Sequence, residues 1–155
     1  MQHKANPRRA NPEVRGFTLL EALVALALFC LLAGLVWPTY SALKQKARRS
    51  EARAALLQAM QQQERYFTAN GRYAEFSRSA PNGFTWYSGA TPAASSHELQ
   101  AQACDQASLE ECVLISATPG TPAINAAAAD PQCGVFTLNS RSERGADGDA
   151  ALCWQ

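Results

Sequence analysis

A chain of 155 residues, 47% hydrophobic and 17% charged with a formal net charge of +1, has room for one hydrophobic core plus accessory segments. That balance excludes a strongly basic field for polyanions, and what charge there is sits unevenly. Lys4, Arg8, Arg9 and Arg15 outweigh Glu13 in residues 1–16, and Lys44, Lys46, Arg48, Arg49 and Arg53 outweigh Glu51 further on, whereas from Ala54 onward five basic groups face ten acidic ones, a balance of −5.

After the basic leader comes Gly16-Phe17-Thr18-Leu19-Leu20-Glu21, which opens the most apolar part of the chain. Ala22 to Trp37 is an uninterrupted apolar run of 16 residues, and counting from Phe17 gives 21. As a helix that is about 31 Å long, matching a hydrocarbon core of about 30 Å. A buried core helix would carry a polar stripe, and none is present. A cleaved secretory signal would place small residues in an A-x-A pattern after the run, but Pro38-Thr39-Tyr40-Ser41-Ala42 follows, and the small residue at a plausible cut is Gly16, ahead of the run. Basic residues flank both ends, so charge alone leaves the orientation open. Four cysteines beyond the run (Cys104, Cys112, Cys133, Cys153) place the C-terminal part on the oxidising side and the leader in the cytoplasm.

Beyond Pro38, which should kink or loosen a helix by removing a backbone donor, apolar residues recur at helical spacings from Leu43 to Phe67. An amphipathic continuation therefore reaches Asn70-Gly71, where glycine can end it in the left-handed conformation. Past Gly71, β-prone runs at Phe84–Tyr87, Leu99–Ala103, Cys112–Ala117 and Cys133–Asn139 alternate with turns such as Pro81-Asn82-Gly83 and Pro119-Gly120. The Ala-rich piece Ala123–Ala129 reads as a loop. Short strands without intervening helices give an antiparallel sheet, so the expected class is α+β, a sheet head packed on a long helix. The segments are 1–16, 17–37, 38–70 and 71–155.

"RGFTLLEALVALAL" resembles the prepilin motif of type IV pilins and related pseudopilins, matching at Gly16, Phe17, Thr18, Leu19, Leu20 and Glu21. The resemblance implies that prepilin peptidase cuts between Gly16 and Phe17 and methylates the new amine of Phe17. It implies a single-pass inner-membrane precursor with a periplasmic head, an assembly platform, other pilin subunits as partners, and a final place in an extracellular pilus. Pro38 and Tyr40 fall where many pilins carry a proline and a tyrosine, while Cys30 stands where the family often has glycine. "ERYFTANGRYAEF" resembles the helix-to-loop passage of many pilins, and "CGVFTLNS" with Gly145, Cys153 and Trp154 is similar to the C-terminus of PilE-like minor pilins, which together with the departures at Cys30 and Trp37 points to a minor subunit. A type II secretion pseudopilin and a DNA-binding receptor pilin for uptake are the alternatives the resemblance leaves open.

Glu21 then has a reason. After cleavage it lies about one helical turn from the amine of Phe17, and it suits the positive end of the helix dipole. An intramembrane carboxylate is usually paired, and Glu21 of one subunit meeting the amine of a neighbour would set axial register. Four cysteines allow three connectivities. Cys104–Cys112 would tie two neighbouring strand ends, and Cys133–Cys153 would staple the tail to the last long strand, which favours that pairing.

The basic cluster Lys44–Arg53 could meet nucleic acid, but the −5 balance downstream favours a solvated face or one facing acidic heads in a fibre. Asp147-Gly148-Asp149 has too few oxygens around it for calcium, and His3 and His97 are far from any zinc spacing. No metal, cofactor or catalytic residue is expected, because His97 is the only histidine outside the leader. The expectation is a non-enzymatic pilus subunit serving motility, adhesion or DNA uptake.

Overall fold

The computed structural model describes residues 18–155, apart from the side chains of residues 35–39. One helix, α1, runs from Leu19 to Asn70, and the chain divides into two compact units between Tyr40 and Ser41. Thr18 starts the helix: its hydroxyl accepts from the Glu21 amide (3.3 Å) and its carbonyl from the Ala22 amide (3.1 Å). The spacing Thr18-x-x-Glu21 is that of a capping box, a start signal written in the sequence. Pro38 falls inside α1, which continues through it as helix to Asn70.

In the second unit the helix buries Ala52, Ala55, Leu56, Ala59 and Gln63, a stripe at spacings of three and four. Three of the five are alanines, so the backbone can come close to the sheet. Gly71 ends the helix at φ +70°, its amide donating to the Phe67 carbonyl (2.8 Å) in a conformation that a side chain would strain.

The sheet is an antiparallel meander: β1 (His97–Ala103), β2 (Val113–Pro119), β3 (Phe136–Asn139) and β4 (Arg144–Ala146), in that order. Register sets Leu99 opposite Ala117 and Ile115 opposite Leu138. His97, Leu99 and Ala101, then Val113, Ile115 and Ala117, then Phe136 and Leu138 are all buried, so one face of the pleat forms the core with the α1 stripe. The opposite face carries Glu98, Gln100, Ser116 and Thr118. The β1 edge is not bare: Phe76 exchanges backbone hydrogen bonds with Ala101, and the Leu99 amide donates to the Trp86 carbonyl (2.7 Å).

Three local expectations change. Phe84–Tyr87 makes no strand, because Phe84 turns inward to stack on Phe76 (5.0 Å between centroids), leaving only a single bridge between Tyr87 and Glu98. The run expected from Cys133 begins its strand at Phe136, because Gly134 turns the chain at φ +59°, where a Cβ would run into the Asp147 carboxylate. Residues 126–128 in the Ala-rich loop make a short 3₁₀ turn, capped by Asn125. A short helix, α2 (Ala150–Cys153), follows β4, its first turn capped by Asp149.

Two disulfides close the head: Cys104–Cys112 (Cα–Cα 5.4 Å) and Cys133–Cys153 (Cα–Cα 5.8 Å). Cys104 and Cys112 flank the β1–β2 connection, and Cys153 brings α2 back onto the start of β3.

Candidate functional site

Gly16 and Phe17 lie outside the described residues, so the junction between them and the pairing of Glu21 with the amine of Phe17 do too. Glu21 itself stands exposed in the first turn of α1, beside the Thr18 cap. Behind it every residue to Gly34 is exposed, with Leu19 at 80% and Phe29 at 70%. Among the described residues nothing covers this apolar stretch, and lipid tails or the apolar helices of other chains are the surfaces suited to do so. Among the described residues no helix is long and apolar enough to cross a membrane; the span expected over 17–37 runs past them at both ends. Cys30 on this stretch is a free, exposed thiol.

The second feature is the basic stretch at the start of the other unit. Arg48 donates to the Ala127 carbonyl (2.9 Å). Arg49 grips Asp130 with Nε on Oδ2 (2.6 Å) and Nη2 on Oδ1 (2.9 Å), and also reaches Gln132 Oε1 (2.8 Å). Among the described residues this is the sole ion pair. Asp130 also accepts from the amides of Gln132 and Cys133, so it holds the loop before β3 against the helix. Burial would raise its pKa, but the hydrogen bonds from Arg49, Gln45 and the Cys133 amide, with the charge of Arg49, outweigh that and bring it down to about 2. Lys44 and Lys46 stay exposed and Arg53 half-buried.

Three polar groups, buried or half-buried, that sequence patterns do not reveal hold the head together. Gln63 clamps Ala74 with both amide atoms, donating to its carbonyl (2.6 Å) and accepting from its amide (2.9 Å). Glu51 accepts from the Ser88 hydroxyl and the Ser96 amide, pinning the loop before β1 to the helix. His97 is 1% exposed, its Nδ1 2.9 Å from Ser96 Oγ, its Nε2 without a partner among the described residues, and its ring edge-on to Phe136. Burial brings its pKa down to about 4, against the opposing pull of Glu51 and Asp130 and with a small push from Arg48.

Asp147 and Asp149 serve the backbone: Asp147 accepts from the Val135 amide (2.9 Å) and Asp149 from the Ala151 amide (2.9 Å). Their carboxylates are thus turned to local backbone donors.

Residues 13–37 match the prokaryotic N-terminal methylation motif. Residues 38–137, well over half of the chain, match the family described as type IV minor pilin ComP, DNA uptake sequence receptor. The type IV major pilin protein PilA of Myxococcus xanthus (strain DK1622) is 32% identical over 68 residues, 44% of this chain and 31% of that protein, so the chain spans less than a third of this relative's length. A type IV pilin structure from Shewanella oneidensis shares 22% identity, with a TM-score of 0.47 over 72% of this chain and 98% of that one. The motif at the head of α1, the helix-on-sheet unit behind it and the match across residues 38–137 agree: this chain belongs to the type IV minor pilin ComP, DNA uptake sequence receptor, family.

Proposed function

We propose that this chain is a minor subunit of a type IV pilus that serves DNA uptake. The observation that carries the reading is the succession, in one chain, of a methylation motif over 13–37 and a DNA-receptor pilin match over 38–137. The precursor sits in the inner membrane with its head in the periplasm, where both disulfides can form. Prepilin peptidase cuts between Gly16 and Phe17 and methylates the amine of Phe17. The apolar helix then leaves lipid at the assembly platform and packs among the helices of other pilins. There Glu21, one turn into the helix, meets the charged amine of a neighbour and sets the axial register. Pro38 loosens the helix between its fibre-core part and the part that carries the head.

The head's task is recognition of duplex DNA at the fibre, in keeping with the family description. The −5 balance from Ala54 onward limits any such contact to local cationic groups, so binding should be modest, with a shallow salt slope set by the few phosphates contacted. Mass spectrometry of the mature protein tests the processing: the expected product begins at methylated Phe17, and an intact Met1 in cells holding the peptidase overturns it. Deletion tests the role. Transformation should fall at least tenfold with twitching retained, and a mutant that transforms normally would sink the DNA reading while leaving the pilin assignment intact.

A further inference from the structure

Lys46, Arg49 and Arg53 recur at spacings of three and four, so α1 brings them to one face. With Ala42, Gln132 and Leu152 they line a cleft of about 370 Å³ in which no acidic side chain takes part. Arg49 is committed to Asp130, but Lys46 and Arg53 make no hydrogen bond or ion pair among the described residues. Gln155 also lines the cleft and makes no ion pair with them. Leu152, 57% exposed, gives the cleft an apolar edge, and Leu43, one turn before Lys46 on α1, is 65% exposed.

Two uncompensated cations beside exposed leucines suit a surface that meets phosphate with one part and hydrocarbon with the other. Where the cleft lies along the chain decides which phosphate. Ala42, its first residue, comes five residues after Trp37, where the apolar run ends, and that much chain reaches at most about 18 Å in any conformation. With the run in a bilayer, the cleft is tethered within reach of the headgroup layer on the head's side. Duplex DNA fits the same features less well. A phosphate backbone has nothing with which to cover Leu152 and Leu43, and the balance of −5 from Ala54 onward opposes a long polyanion. A single headgroup is short enough to feel the cleft alone.

We propose that this cleft takes the headgroup of an anionic phospholipid while the chain is anchored in the inner membrane. Lys46 and Arg53 hold the phosphate, and Leu152 and Leu43 rest on the glycerol and upper acyl carbons, so the head lies on the bilayer. Arg49 stays with Asp130, and the contact breaks when the helix leaves lipid. This role rests on the membrane-anchored precursor of the proposed function and is independent of DNA binding.

The test uses the full chain reconstituted in phosphatidylcholine vesicles that carry a phosphatidylglycerol with a photoreactive headgroup, with peptide mapping of the coupled sites. Coupling should fall on residues 42–53 and 150–155, and a phosphatidylcholine bearing the same photoreactive group should couple there at least tenfold less. K46E/R53E should lose at least tenfold of the phosphatidylglycerol coupling, and K46R/R53K less than twofold. K46E/R53E should couple at the same residues to a cationic lipid carrying that group, a recovery that a merely structural role for Lys46 and Arg53 would not give. Undiminished coupling in K46E/R53E, or coupling confined to other parts of the head, overturns the proposal and leaves the anchor intact if the chain floats with the vesicles. A chain that does not float with them overturns anchor and proposal together. Gel shifts with duplex DNA separate the other occupant: lost DNA binding in K46E/R53E with lipid coupling unchanged would assign the cleft to nucleic acid and overturn the proposal.

Discussion

The guanidinium of Arg49 holds the carboxylate of Asp130 through two hydrogen bonds, of 2.6 and 2.9 Å, across 81 residues of sequence. Asp130 is 5% exposed and in turn caps the amides of Gln132 and Cys133, so one carboxylate ties the helix to the loop that leads into β3. Its pKa falls from 3.8 to about 2 on folding, so its contribution is complete above pH 3.8 and is lost as pH drops through about 2. That contribution is about 2 kcal/mol. Asp130→Asn should remove this acid-limb dependence, and Arg49→Leu should cost more, about 3–5 kcal/mol, because it leaves a buried charge unpaired. Urea unfolding between pH 2 and 7 checks both.

His97 sets a second pH window. Its pKa falls from 6.5 in the unfolded chain to about 4 in the folded one, because burial disfavours the imidazolium. Above pH 6.5 it is neutral in both states. Between pH 6.5 and 4 only the unfolded chain takes up the proton, so stability declines across that window by about 3 kcal/mol. His97→Leu should flatten that slope without altering the one below pH 3.8, and NMR titration of the ring should show no protonation above pH 5.

Gln63 is fully buried and satisfies both the amide and the carbonyl of Ala74. Gln63→Leu keeps the volume and leaves two backbone groups unpaired, each at about 1–3 kcal/mol. Thermal unfolding should move down by several degrees or more, while Gln62→Leu on the neighbouring half-buried position should stay within about 0.5 kcal/mol.

The two disulfides should differ in weight. In the chain-entropy model the 8-residue separation of Cys104 and Cys112 contributes about 2.5 kcal/mol and the 20-residue separation of Cys133 and Cys153 about 3 kcal/mol. Cys133 and Cys153 are both fully buried, whereas of the other pair Cys112 is buried and Cys104 half-buried, so C133S/C153S adds a polar burial cost at two sites and C104S/C112S mainly at one. Calorimetry should rank the second pair as the larger loss, and the first variant should remain folded with a disordered 104–112 loop.

Periodicity and local chemistry were readable along the chain wherever neighbours in sequence are neighbours in space. Thr18 and Glu21 are one turn apart, the run behind them is apolar at every position, and Gly71 stops the helix through its own backbone. The alternation of Leu99 to Ala103 and of Val113 to Ala117 similarly follows from a period of two against one buried face. The short elements β4 and α2 were not readable, because Arg144–Ala146 and Ala150–Cys153 have little propensity of their own. They exist through pairing with β3, the Asp149 cap and the Cys153 bridge. Phe84 misled for the same reason, since its β-prone surroundings yield to a stacking partner in the core. The choice of Asp130 for Arg49 and of Ala74 for Gln63 belongs to packing alone. Each depends on which distant segments the helix and sheet bring to one surface, and no pattern within a single segment carries that information.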